Sequence, residues 1–177
     1  MKFYGELSDN EFEYDGIEHE RIVSRGILIN DDNKIALLKI EGLDEFGYRD
    51  YYETPGGGVE NKESLIKAAK REIKEETGYD SKFIKSIGYV IDYYNLIKRK
   101  NITYYHIFKA KKYVGSSLED YEKGLIKNIK FYSIDECIDL YKNHMNSKVG
   151  KIVQNRELRI FLDVKKWMEK ENENKKI

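Results

Sequence analysis

The sequence predicts an α+β domain in which helices cover a mixed β-sheet, and three observations carry that prediction. Strand-like runs rich in Ile, Val, Tyr and Phe come in two pairs, near 21–40 and 81–111. A helical segment introduced by glycines lies between the pairs, and two further helical segments close the chain. The 177 residues contain no internal repeat or low-complexity linker, so one domain over 1–177 is expected, large enough to bury a core without disulfides or a structural metal.

Residues 1–20, MKFYGELSDNEFEYDGIEHE, are acidic and read as an N-terminal extension that pairs with a partner or packs on the chain's own sheet. RIVSRGILIN (21–30) and KIALLKI (34–40) flank the turn-rich Asp31-Asp32-Asn33 and form a hairpin. Residues 41–52 are polar and aromatic, a loop running into a short strand before Pro55. A helix follows from near Asn61 to Gly78, a residue suited to a helix C-terminus. Residues 81–95 and 101–111 make a second hairpin about the basic turn Lys98-Arg99-Lys100, and 114–124 is a polar loop. After a strand at 125–132, Ser133 opens a helix with Glu136 three positions on, the pattern of a capping box. Residues 149–177 comprise a final helix to about Glu169 and a frayed tail, ENENKKI.

Charge and composition narrow the function classes. Lys plus Arg and Asp plus Glu number 32 each, so no global field favours nucleic acid or an anionic membrane, and any phosphate binding must be local. The single cysteine, Cys137, excludes an intramolecular disulfide and suits a reducing compartment. The chain shows no signal-peptide pattern at its start and no apolar run of the roughly 18 residues a membrane span requires. A cytoplasmic protein is expected.

The chemistry concentrates in GGGVENKESLIKAAKREIKEETGYD, residues 56–80. At about 100° per residue, Glu72, Glu76 and Glu75 fall at about 0°, 40° and 300°, one ridge beside the apolar stripe of Leu65, Ala69 and Ile73. Lys67, Lys70 and Lys74 lie on the opposite side, too far round to neutralise it. Two carboxylates about 6 Å apart repel by roughly 3 kcal/mol at an effective dielectric of about 20. Hard oxygen donors without His or Cys favour Mg²⁺ or Mn²⁺ over Zn²⁺, and Mg²⁺ is commonly completed by substrate phosphates. Gly56-Gly57-Gly58 allows close backbone approach to such a ligand. The chain has no phosphate-loop motif G-x-x-x-x-G-K-[ST], and Asp31-Asp32-Asn33 lacks the spacing of a calcium loop.

Gly57, Glu63 and Arg71-Glu72-Ile73-Lys74-Glu75-Glu76-Thr77-Gly78-Tyr79 match G-x5-E-x7-R-E-U-x-E-E-x-G-U, where U is bulky and apolar. The chain thus resembles the Nudix hydrolases, over roughly 20–145, with Tyr79 a mild departure at the last position. The resemblance implies an α/β/α sandwich with a mixed sheet and a loop-helix site. It also implies hydrolysis of a diphosphate joined to another moiety, usually a nucleoside, by attack of water on phosphorus with Mg²⁺ or Mn²⁺. By the same resemblance Glu72, Glu75 and Glu76 are metal ligands, Gly56 offers its carbonyl, and Glu63 and Arg71 organise the loop. Glu76 is the first choice for the base, with Glu119, Asp120 and Glu122 as alternatives.

Arg25 and Arg49 occupy positions similar to those of phosphate-binding arginines in the family, and Glu122 is a further substrate-side candidate. Tyr93, Tyr94 and Tyr105 are candidates for stacking on a base. The implied partner is a small-molecule nucleotide or nucleoside diphosphate derivative, and many relatives are homodimers. The alternative readings are a catalytically silent nucleotide-binding sensor and an isomerase acting through Cys137. Within the hydrolases, ADP-ribose or dinucleoside polyphosphates stand against an oxidised nucleoside triphosphate. The absence of a proline about fifteen residues past the motif weakens the ADP-ribose case.

Overall fold

The structure, a computed structural model, describes residues 1–174. At its centre, β2 (His19–Ile29) runs parallel to β7 (Arg99–Tyr113), which pairs antiparallel with β6 (Tyr79–Tyr94). The sheet is thus mixed, and β1 (Lys2–Leu7) adds parallel to β6. The N-terminal segment therefore packs on the chain's own sheet, where the Tyr4 hydroxyl donates to Asp163 and the Asn95 amide to Asp9.

On its other side β2 meets β3 (Ile35–Asp44) at Ile29 and Ile35, beside the turn, and the two strands then diverge. β5 (Gly56–Gly58) takes the edge of β2 at Val23–Arg25, while β3 pairs with β4 (Gly47–Glu53) and β8 (Ile126–Tyr132). The expected first hairpin is thus confined to its closed end. The split it leaves is the mouth of a cleft.

The short strand expected before Pro55 forms as β4, but the part of 41–52 expected as a loop is also paired: β3 and β4 stay in register to Asp44 and Gly47. Their alternation was hidden because Asp44 and Arg49, on the cleft, are polar where a core face would be apolar. Part of the expected polar loop at 114–124 is also regular, since α2 (Asp120–Leu125) begins there behind a Glu119–Glu122 capping box. The second hairpin and the Ser133–Glu136 capping box of α3 (Ile134–Asn143) form as the sequence predicted.

Strand alternation feeds two cores. On one face Leu28 and Phe108 pack with Ala69 and Ile73 from the segment that follows the glycines. On the other, Ile27, Tyr105 and Ile107 meet α4 (Lys148–Asn174) through Ile160, Phe161 and Val164. Each fully buried large side chain contributes about 1.5–3 kcal/mol. Residues 171–174 of the expected frayed tail are helical, and 175–177 lie outside the described residues.

The apolar stripe of α4 is interrupted by Arg156 and Glu157, both almost fully buried. Arg156 donates to Asp92 at 3.0 Å, to the Tyr94 hydroxyl at 3.0 Å and to Glu53 at 3.3 Å. Glu157 accepts from the hydroxyls of Thr54, Tyr105 and Tyr141. One helix is thereby pinned to β4, β6 and β7 beneath the cleft. Removing one partner of a buried ion network strands the others, so Arg156→Ala is expected to cost about 3–5 kcal/mol in urea unfolding. A cost below about 1 kcal/mol would contradict this role.

Candidate active site

Ser64 caps α1 (Leu65–Glu72) by accepting from the Lys67 N–H, which sets the start of the helix later than the expected Asn61. At Ile73–Thr77 the helix widens into a π turn, closed by Gly78 in the left-handed region at φ 77°. A wider turn rotates each residue by less than 100°, so the single acidic ridge splits. Glu72 and Glu76 turn inward and are buried, while Glu75 stays partly exposed.

Glu122, delivered by α2, completes the inward group. One carboxylate oxygen from each of Glu72, Glu76 and Glu122 lies within 4.8 Å of the others. The Glu119 N–H donates to Glu122 at 2.7 Å and holds it in place. Of the three acids in that segment, Glu119 caps the helix and Asp120 pairs with Lys123 at the surface. Glu122 alone of the three joins the cluster.

Burial, and then the charge of Glu72, push the Glu76 carboxyl well above its ordinary value. Burial also raises Glu72, against the opposing pull of Arg71. At about 5 Å and an effective dielectric near 20, each ionised pair repels by about 3 kcal/mol. Clustered hard oxygens that are costly to ionise fit a divalent cation, which would restore them to the charged form.

Arg71 organises the rim. Its guanidinium donates to both oxygens of Glu63 at 3.1 Å, to Glu72 at 2.9 Å, to Glu75 at 3.1 Å and to the Gly58 carbonyl at 3.1 Å. The glycine strand is tied to the same acids. The Gly56 N–H donates to Glu76 at 2.7 Å, and a Cβ on Gly57 would overlap the Glu72 carboxylate.

These groups form one end of a cleft of about 830 Å³, within the range of small-molecule sites. Arg25 and Arg49 both line it but are engaged. Arg25 pairs with Glu53 at 2.9 Å and donates to the Thr54 carbonyl, while Arg49 pairs with Asp44, donates to the Tyr51 hydroxyl and stacks on Phe46. Tyr94 lines the cleft edge-on to Phe46, Tyr105 is buried against Glu157, and the Tyr93 hydroxyl is bound to Glu6 away from it. Cys137 is buried in α3 outside the cleft lining, and burial raises its thiol. His106 is held neutral, its pKa pulled down to about 4 by burial. The sequence reading missed Glu53, Arg156, Arg21, Arg99 and Asn101, all of which line the cleft. The alternation Arg21, Val23, Arg25 along one strand face was the available signal for Arg21.

The chain matches the NUDIX domain family model over residues 20–152. Among solved structures it is similar to a NUDIX hydrolase from Nitrosomonas europaea at 20% identity and a TM-score of 0.56, covering 76% of this chain and 86% of that one. It is similar to the MutT protein of Methanosarcina mazei Go1 at 18% identity and a TM-score of 0.51, covering 72% and 85%. A MutT NUDIX hydrolase from Burkholderia pseudomallei gives 17% identity and a TM-score of 0.51, covering 67% and 86%. No curated protein matches the chain. Those solved structures share the fold, and the family match spans three quarters of the sequence, including the glycine strand, the π-turned helix and the acids it carries: the chain belongs to the Nudix hydrolases.

Proposed function

We propose that this hydrolase cleaves the diphosphate linkage of a nucleoside diphosphate derivative, with water attacking phosphorus at the acidic end of the cleft. The convergence of Glu72, Glu76 and Glu122 is the observation that supports the reading. Glu72 and Glu76, with the Gly56 carbonyl as a further donor, would hold Mg²⁺ or Mn²⁺. When bound, such an ion polarises the phosphoryl oxygens and acidifies a water.

The protein's own groups divide the remaining work. Glu76 is fixed by the Gly56 N–H and deeply buried, which suits a ligand better than a proton carrier. Glu122 comes from a separate element and faces the same point, so it accepts the proton of the attacking water. Arg71 donates to Glu72, opposing the effect of burial on its carboxyl, and, through Glu63, Glu75 and Gly58, holds the glycine strand against the helix. The diphosphate P–O bond then breaks, and one phosphate leaves with each product.

Glu72→Gln and Glu76→Gln are expected to lower kcat by about 10²–10⁴-fold and to weaken Mn²⁺ binding at least about tenfold by calorimetry. Glu122→Gln should lower kcat by about 10²-fold or more with Mn²⁺ affinity held within about threefold. Loss of Mn²⁺ affinity in that variant would make Glu122 a ligand instead. Full turnover in excess EDTA would overturn the metal-assisted reading.

Stability supplies an independent check. A carboxyl whose folded pKa is raised favours the folded state least when ionised, so metal-free protein should lose stability as pH rises from the ordinary 4.5 through the folded value. Glu76→Gln removes that loss. Its melting temperature in EDTA at pH 8 is expected to exceed that of the wild type, and a lower one would contradict the burial of an uncompensated acid. Gly57→Ala should displace Glu72 and weaken Mn²⁺ binding at least about tenfold while the circular dichroism spectrum is retained.

A further inference from the structure

The far end of the cleft has the opposite electrostatic character. Six arginines line the cleft, and four are matched by carboxylates: Arg25 by Glu53, Arg49 by Asp44, Arg71 by the rim glutamates, and Arg156 by Asp92, Glu53 and Glu157. Arg21 and Arg99 have no carboxylate within 4.0 Å among the described residues. They are also neighbours. β2 and β7 pair Arg21 with Asn101 and His19 with Arg99, so the two arginines are diagonal on adjacent strands, about 8 Å apart at Cα from strand spacings of about 4.8 Å and 3.3 Å per residue.

Like charges so placed repel. Burial and then the charge of Arg21 pull the Arg99 guanidinium below its usual value. Arg99 lies over the Tyr94 ring at 5.5 Å, and its buried Nε has no hydrogen-bond partner. Asn101, 3% exposed, lines the cleft beside them, and its Oδ1 is also without a partner. A buried acceptor and a buried guanidinium Nε without partners are each costly alone, and Arg21, exposed at the mouth, adds a second cation. Together they are complementary to an anion flanked by a hydroxyl donor.

Position fixes what would carry that anion. Arg25 pairs with Gly56, whose N–H reaches Glu76, and with Tyr105 of β7. Arg21 reaches back over Gly58, whereas Arg99 lies six residues along β7 from Tyr105, an offset of about 20 Å at Cα. Arg99 and the acidic end are too far apart for one diphosphate to touch both, so an anion at Arg99 belongs to the organic moiety, with Arg21 between the two.

We propose that Arg21, Arg99 and Asn101 form a distal phosphate subsite, which selects diphosphate substrates whose organic moiety bears a further phosphoryl group next to a sugar hydroxyl. The guanidinium groups take the phosphoryl oxygens and the Asn101 amide takes the hydroxyl. The substrate selection rests on the hydrolase reading above, whereas the binding of phosphate does not.

Two measurements test the two parts separately. In excess EDTA the acidic end repels anions, so calorimetric titration with inorganic phosphate at low salt reports the distal end alone. Binding is expected in the wild type, at least about tenfold weaker in Arg21→Ala and Arg99→Ala, and unchanged in Arg159→Ala, an arginine outside the cleft lining. No binding, or equal binding by all four proteins, overturns the subsite. In the second measurement kcat/KM is compared within matched pairs that differ by one sugar phosphate, NADPH against NADH and coenzyme A against its dephospho form.

The phosphorylated member of at least one pair is expected to be preferred about tenfold or more, with the ratio collapsing toward one in Arg99→Ala. A ratio near one for both pairs, or one that Arg99→Ala leaves unmoved, overturns the selection. If phosphate binds in EDTA as expected but no diphosphate is cleaved with Mg²⁺ or Mn²⁺, the subsite stands and the hydrolase substrate reading falls.

Discussion

Mutual repulsion among carboxylates brought out of water is the constraint around which this domain is arranged. Glu72 and Glu76 lie at the edge of a packed helix–sheet interface, where their charge is poorly solvated, and Glu122 closes the group from a different element. A fold can hold such a group only with an external cation, a counter-charge at the rim, or protonation. Arg71 provides the second: it binds Glu72 directly and carries Glu63, Glu75 and the Gly58 carbonyl in the same fork. It partly neutralises the acids and leaves the inner oxygens free. The planar five-donor guanidinium matters here, since a lysine could not satisfy so many acceptors at fixed angles.

The backbone serves the same constraint. The π turn at Ile73–Thr77 separates Glu75 from the other two acids of the helix, so that Glu75 stays at the rim with Arg71 while Glu76 and Glu72, which Arg71 also meets, face inward. The divergence of β2 from β3 leaves room for β5, and β5 brings the Gly56 N–H to Glu76 and a side-chain-free Gly57 beneath Glu72. Under the cleft, Arg156 and Glu157 place a balanced charge network where an apolar stripe would be expected. The floor is therefore polar, and it keeps Arg25 and Arg156 matched to Glu53.

The cleft is thus polarised along β2, acidic near Arg25 and Gly56 and cationic near Arg21 and Arg99. A ligand with a phosphate bound at the acidic end requires a metal there, whereas an anion at the other end does not. The two ends are separable in experiment for that reason.

Much of this was legible in the sequence, for local reasons. The spacing of Gly57, Glu63, Arg71, Glu72, Glu75 and Glu76 encodes a loop and a helix face, and both depend on neighbours within about 25 positions. The second hairpin and the Ser133–Glu136 cap are equally local. Other features depended on contacts between residues distant in the chain. Glu122 could not be separated from Glu119 and Asp120 until α2 was seen against β3 and the cleft. Arg25 and Arg49 looked like free phosphate binders because their partners, Glu53 and Asp44, become neighbours only through strand pairing and burial. Arg156 and Glu157 roughened a helical stripe without revealing that Asp92, Glu53 and three hydroxyls would meet them. The sequence alone determined the helix that carries the acids, because helical periodicity is set by neighbours in the chain; tertiary structure decided which acids converge and which arginines are left unmatched, because charge pairing depends on distance in space.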